Sequence, residues 1–159
     1  MMILNFWMKL KMKRMKMMND FLGVCLYLAS IAEPLPNQSR VDTCLEVAKS
    51  AIEYKINPFI ALALSYHESR FDKKVVSKSG AIGALQVKRQ FIDCSNCTDI
   101  EAGLLALRYW IDRTKNTCEA LGKYAVGNAG KCGKRSRMII RLSKELDCRH
   151  SPKDYCQDC

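Results

Sequence analysis

The stretch from Asn57 to Gln86 restricts the fold more than any other part of this chain. Asn57-Pro58 marks a helix start, because Asn caps well and Pro at the first helical position gives up an N–H that would have no intrahelical partner. Beyond it, Ile60, Leu64, His67 and Phe71 recur at helical spacing, and the small Ala61, Ala63 and Ser65 keep the helix slim enough for close packing. A largely buried helix is predicted, with Glu68 in its last turn. Asp72 to Lys78 is mostly polar and reads as a loop. Gly80, Gly83 and the small Ala81 and Ala84 then permit tight or left-handed backbone, and Leu85-Gln86-Val87 suits a short strand. A carboxylate closing an apolar helix beside a polar, Gly-rich turn with Ser77 and Gln86 has the parts to protonate a glycosidic oxygen and hold a sugar by hydrogen bonds.

The remaining pattern is also helical. Ser39 is placed to cap a helix that runs to about Lys55, with Val41, Cys44, Leu45, Ala48, Ala51 and Ile52 on one face. Thr98-Asp99-Ile100-Glu101 fits a capping box, opening a helix with an Ile100, Leu104, Leu107, Ile111 stripe flanked by Trp110. A short helix around Cys118 to Val126 leads into a Gly-rich turn, Gly127 to Gly133. The last helix, roughly Ser136 to Leu146, is expected to turn Met138, Ile139, Leu142 and Leu146 inward. At 159 residues the chain suits one domain with flanking segments.

Lys9, Lys11, Lys13, Arg14 and Lys16 precede an apolar run from Phe21 to Ile31, and Ser30-Ile31-Ala32 offers small residues of the kind a signal peptidase reads. Residues 1–32 are therefore expected to be a signal peptide cut before Glu33, with 33–37 a linker, 38–147 the domain and 148–159 a Cys-rich tail. The run is shorter than the roughly 20 apolar residues of a spanning helix. An uncleaved amphipathic or anchoring helix, or a start at a later Met such as Met17, is the alternative. Removing Cys25 with the leader leaves Cys44, Cys94, Cys97, Cys118, Cys132, Cys148, Cys156 and Cys159, an even set that reads as a disulfide framework in an exported chain. The sequence leaves the pairing open. Cys94-x-x-Cys97 and Cys156-x-x-Cys159 raise a zinc site as the rival, but their separation far exceeds that of common zinc ribbons. Neither metal nor cofactor is expected.

The formal net charge of +10 favours a polyanionic partner: nucleic acid, an anionic lipid surface or an anionic wall polymer. The basic residues form no known DNA-reading motif, so nucleic acid is not expected, and membrane contact is expected only through the N-terminal segment.

Several motifs occur in a telling order: Asn57-Pro58 with Ala61-Leu62-Ala63, Glu68-Ser69-Arg70-Phe71, Ser77 to Gln86, Gly103 to Trp110, and Tyr124-Ala125-Val126-Gly127. Together, over roughly residues 38 to 132, they closely resemble the soluble lytic transglycosylase (SLT) domain, a lysozyme-like family that cuts the glycan strands of peptidoglycan. Glu68 to Phe71 resembles its E-S-x-F signature and Ser77 to Gln86 its S-x-x-G-A-x-G-x-x-Q segment. Three positions depart from the pattern: Ala106 stands for a Tyr, Ala125 for an Asn and Ala84 for a Leu.

The resemblance implies a mainly α, lysozyme-like domain with a short β/turn segment, here disulfide-stabilised. It implies Glu68 as the single catalytic residue, acid and then base, with Ser77 and Gln86 binding sugar and Tyr124 orienting Glu68 through its hydroxyl. Asp72, the nearest other carboxylate, reads as a loop stabiliser and His67 as a packed helix residue. The rival functions are a goose-type lysozyme-like hydrolase and an inactive wall-binding or structural module; the intact Glu68 speaks against the second. The expected partner is peptidoglycan in the periplasm or outside the cell, in wall turnover, secretion, conjugation or a phage particle.

Overall fold

The computed structural model describes residues 19–32 and 37–150 of the chain. Six α-helices account for most of them: α1 over 19–32, α2 Gln38–Glu53, α3 Pro58–Ser69, α4 Asp99–Ile111, α5 Thr117–Val126 and α6 Lys134–His150. Single 3-10 turns lie at Arg89–Phe91 and Gly127–Ala129. No strand forms among the described residues beyond isolated antiparallel bridges, in which Ile82 sits between Val76 and Val87. Leu85 and Gln86 accordingly lie in a turn and not in a strand, since Gln86 takes a left-handed φ of 51° that no pleated segment accommodates.

Helix α3 is the centre. Five successive residues, Ala61 to Ser65, are buried, which requires neighbours on every side and not on one face alone. α2 and α6 supply much of that packing, and α4 packs against α2 and α5. Asn57 caps α3 by accepting from the Phe59 and Ile60 N–H groups, with Pro58 in the first turn. The Thr98–Glu101 capping box opens α4 with both of its hydrogen bonds present. At α2 the cap is Asn37, which accepts from the Ser39 N–H, in place of Ser39 itself. In α6 the buried positions are Ser136, Ile139, Ser143 and Leu146, while Met138 is 48% exposed, against the expectation that it turns inward. Two of the four inward positions are serines, so hydropathy alone misreads the phase of the stripe. Ser143 satisfies its hydroxyl on the Ile140 carbonyl at 2.8 Å, which makes its burial tolerable.

The apolar run read as a leader forms α1, and Phe21, Val24, Cys25, Leu28 and Ala29 join the common core. The Phe21 ring meets Phe59 at 5.6 Å between centroids, and the Tyr27 hydroxyl reaches Glu145 of α6. Cys25, set apart from the disulfide framework by the sequence reading, is bonded to Cys44 of α2. The composition that makes a leader apolar serves a buried helix face equally well, so hydropathy does not separate the two. Further disulfides join Cys94 to Cys97 and Cys118 to Cys132, and Cys148 is also disulfide-bonded. Cys156 and Cys159, the other half of the zinc alternative, lie outside the described residues.

Two close approaches shape the neighbourhood of Glu68. Gly103 on α4 leaves room for Leu85, whose Cβ would stand 2.6 Å from any Cβ added there. Gly122 on α5 lies against the backbone of Lys131, 2.0 Å from where its Cβ would be, so the chain folds back directly onto α5 next to the Cys118–Cys132 bond.

Candidate active site

Glu68 occupies the last turn of α3, and the chain reverses sharply just after it. Arg70 and Phe71 take consecutive left-handed conformations, φ 53° and 64°. Each costs about 1–2 kcal/mol in a non-glycine residue, and burying the Phe71 side chain, only 1% exposed, returns roughly 1.5–3 kcal/mol. The other residues of the signature are also engaged. Ser69 Oγ donates to the Ala84 carbonyl at 2.8 Å and accepts from the Asp72 N–H. Arg70 donates to the Ala32 carbonyl at the end of α1, while Arg40 of α2 donates to the carbonyl of Arg70.

These bonds fasten the helix end to the 83–86 turn. Ser65 Oγ adds a second donor to the Ala84 carbonyl at 3.0 Å, and the Tyr124 hydroxyl donates to the next carbonyl, Leu85, at 2.6 Å. Tyr124 was expected to reach Glu68 through that hydroxyl; its proton goes to the turn instead. The phenol is still close enough to be affected, since burial first and the Glu68 charge second push its pKa up. Gln86 donates to the carbonyls of Val75 and Gly83, and Ser77 Oγ accepts from the Ala81 N–H at 3.0 Å and lies against Ser79 Oγ. Ser77 and Gln86 therefore hold the turn in this structure, with the Gln86 Oε1 as that side chain's remaining acceptor.

The Glu68 side chain is 9% exposed and forms an ion pair with Arg135, the second residue of α6, which is itself half exposed. Desolvation raises the Glu68 pKa, and the Arg135 charge and hydrogen bond pull it partly back, leaving it above the ordinary carboxylate range. The shift is in the direction that suits a proton donor. Asp72 accepts from the Lys74 N–H at 2.8 Å, as a loop former does. His67 packs edge-on against Tyr66, and burial with the nearby Arg135 lowers its pKa. Ala84 is buried and contributes its carbonyl, so the smaller side chain leaves the contacts with Ser65 and Ser69 intact. Ala125 is exposed on α5.

Sequence reasoning did not single out Ser65 or Arg135. Ser65 hides as one more small residue in a slim helix. Arg135 had a signal: Lys134, Arg135 and Arg137 crowd the first turns of α6, where the helix dipole disfavours positive charge and no acidic residue offsets it. The other face of the 83–86 turn borders a shallow pocket lined in part by Glu46, Lys73 and Asp99, charges already paired with one another or with Arg89. Among the described residues no group of three or more His, Cys, Asp or Glu is arranged to hold a metal, and no helix is long and apolar enough to cross a membrane.

The chain matches the model of the Transglycosylase SLT domain over residues 46–138, a span that contains Glu68, the 83–86 turn, Tyr124 and Arg135. Searches of curated proteins and of solved structures find no match.

Proposed function

Because the chain belongs to the transglycosylase SLT domain family, we propose that it cleaves the β-1,4 bond between N-acetylmuramic acid and N-acetylglucosamine in peptidoglycan and closes a 1,6-anhydro ring on the muramic acid. The observation that carries this reading is the position of the Glu68 carboxyl, its side chain only 9% exposed at the end of α3, where desolvation favours the protonated form. Protonated, Glu68 gives its proton to the glycosidic oxygen as the bond to C1 breaks. As carboxylate, it then takes the proton of the 6-hydroxyl of the same sugar while that oxygen bonds to C1. The nucleophile is held by the substrate itself, so no second carboxylate is needed to activate water. Asp72, tied to its own loop, agrees with a single-acid scheme.

In this scheme Tyr124, Ser65 and Ser69 are positioning residues that fix the turn opposite Glu68. Ser77 and the Gln86 Oε1 are the turn's polar groups offered to the glycan. Action on the wall, outside the cytoplasm, fits a chain with several disulfides, which persist in oxidising compartments.

Mass spectrometry of fragments released from peptidoglycan tests the proposal. Anhydro ends from the wild-type protein and none from Glu68→Gln are expected. Reducing ends would assign a goose-type hydrolase instead, and cleavage by Glu68→Gln at the wild-type rate would remove Glu68 from the chemistry.

A further inference from the structure

We propose that Arg135 is a substrate-operated gate: its guanidinium covers the Glu68 carboxylate in the empty site and leaves it for a carboxylate of the incoming glycan strand. The inference rests on the reading of Glu68 as the acid and adds to it a second residue and a preference for anionic strands.

Geometry carries the argument. Glu68 is 9% exposed and Arg135 50% exposed, so the ion pair runs from the interior to the surface, and a ligand approaching Glu68 meets the guanidinium beside it. Among the described residues, the titratable groups in electrostatic contact about Glu68 are His67 on α3, Tyr124 on α5 and Arg135 on α6. His67 is biased toward its neutral form and Tyr124 is a neutral phenol, so Arg135 carries the positive charge. That charge is a liability for an acid, because a carboxylate held against a guanidinium keeps its proton off. A residue that opposes the proposed chemistry in the empty site, on a helix start that gains nothing from a positive charge, needs a second use. A guanidinium's planar fork matches a carboxylate, and peptidoglycan offers two sources: the lactyl group of muramic acid where the peptide is absent, and the stem peptide where it is present. Exchange of partners removes the charge that opposes protonation of Glu68 just as the strand arrives.

Arg135→Gln, with Arg135→Lys as the conservative variant, is assayed on peptide-bearing strands, on peptide-stripped strands and on stripped strands whose lactyl carboxyls have been converted to amides, which have no carboxylate. For Arg135→Gln a fall of about tenfold or more in kcat/KM, mostly through KM, is expected on the carboxylate-bearing strands, in line with the loss of a charge-assisted pair. On the amidated strands the alkaline limb of its kcat profile moves to higher pH. Arg135→Lys recovers part of the loss. A loss on stripped strands assigns the lactyl group, and a loss confined to peptide-bearing strands assigns the stem. Equal losses on all three substrates with unmoved pH limbs would overturn the gate and leave Arg135 a structural residue.

A second measurement does not depend on turnover. In carbon-13 NMR titrations of the Glu68 carboxyl, a peptide-stripped muramic acid oligomer and a peptide-bearing one are each added to wild type and to Arg135→Gln. At least one of them raises the wild-type midpoint and leaves the variant's unmoved; a wild-type midpoint unmoved by both overturns the gate. If Glu68→Gln cleaves normally, the proposed function fails; if Glu68→Gln is inactive and Arg135→Gln behaves as wild type, the gate alone fails.

Discussion

The Tyr124 hydroxyl and the Leu85 carbonyl, 2.6 Å apart, tie α5 to the 83–86 turn, while Ser65 and Ser69 hold the adjacent Ala84 carbonyl from α3. Tyr124→Phe keeps the ring and removes the donor, leaving the Leu85 oxygen without that partner at a cost of about 1–3 kcal/mol. Urea unfolding of the two proteins measures the loss, and identical midpoints would mean that the bond holds nothing in place.

The raised Glu68 pKa fixes the sign of a pH effect. The folded state holds this proton more readily than the unfolded chain, so its contribution to stability is complete in acid and is lost as pH rises through the folded pKa. Glu68→Gln removes that ionisation. The variant is therefore expected to be more stable than wild type at about pH 8, with the difference closing towards about pH 4. Denaturation midpoints at the two pH values check it; a gap that widened in acid would reverse the assignment.

Gly103→Ala puts a Cβ 2.6 Å from the Leu85 Cβ, and Gly122→Ala puts one 2.0 Å from the Lys131 carbonyl oxygen. Leu85 can shift as a side chain, so Gly103→Ala should cost about 1–3 kcal/mol, as overpacking usually does. At Gly122 the obstacle is backbone, so the larger loss belongs there. Thermal unfolding of both variants ranks them, and the reverse order would contradict the packing.

The Cys25–Cys44 bond closes a loop over a sequence separation of 19 residues. Chain-entropy reasoning gives its loss about 3 kcal/mol, so Cys25→Ser and Cys44→Ser should destabilise equally and the double variant no further. Masses of the purified protein before and after reduction make a separate check. Where the bond after Ala32 is cut with the disulfide in place, the N-terminal fragment stays attached until reduction and then separates.

The α3 helix, its Asn57 cap and the capping box at Thr98 were legible because each is local chemistry: a side chain meeting a backbone group a few residues away. The place of Glu68 in the last turn of α3 was legible for a related reason, through its ordered neighbours Ser69, Arg70 and Phe71. What resisted reading is what needs two distant segments at once. Tyr124 meets Leu85 across 39 positions, and Arg135 meets Glu68 from another helix. The inward serines of α6 and the buried face of α1 resisted for a different reason, since polar groups satisfied within their own helix and apolar runs of moderate length each have two physical meanings.

The first described helix and the last pack on each other, with Tyr27 reaching Glu145 across 118 positions. A contact of that separation carries a large loop-closure cost, because the whole intervening chain must be closed to make it. Arg135 and the α6 residues that wall the core are among the last of the described residues to leave the ribosome or a translocation channel. Until they arrive, α3 lacks one of its main packing partners and Glu68 its counterion. Chain order thus works as a timer: the site is assembled only once α6 has emerged.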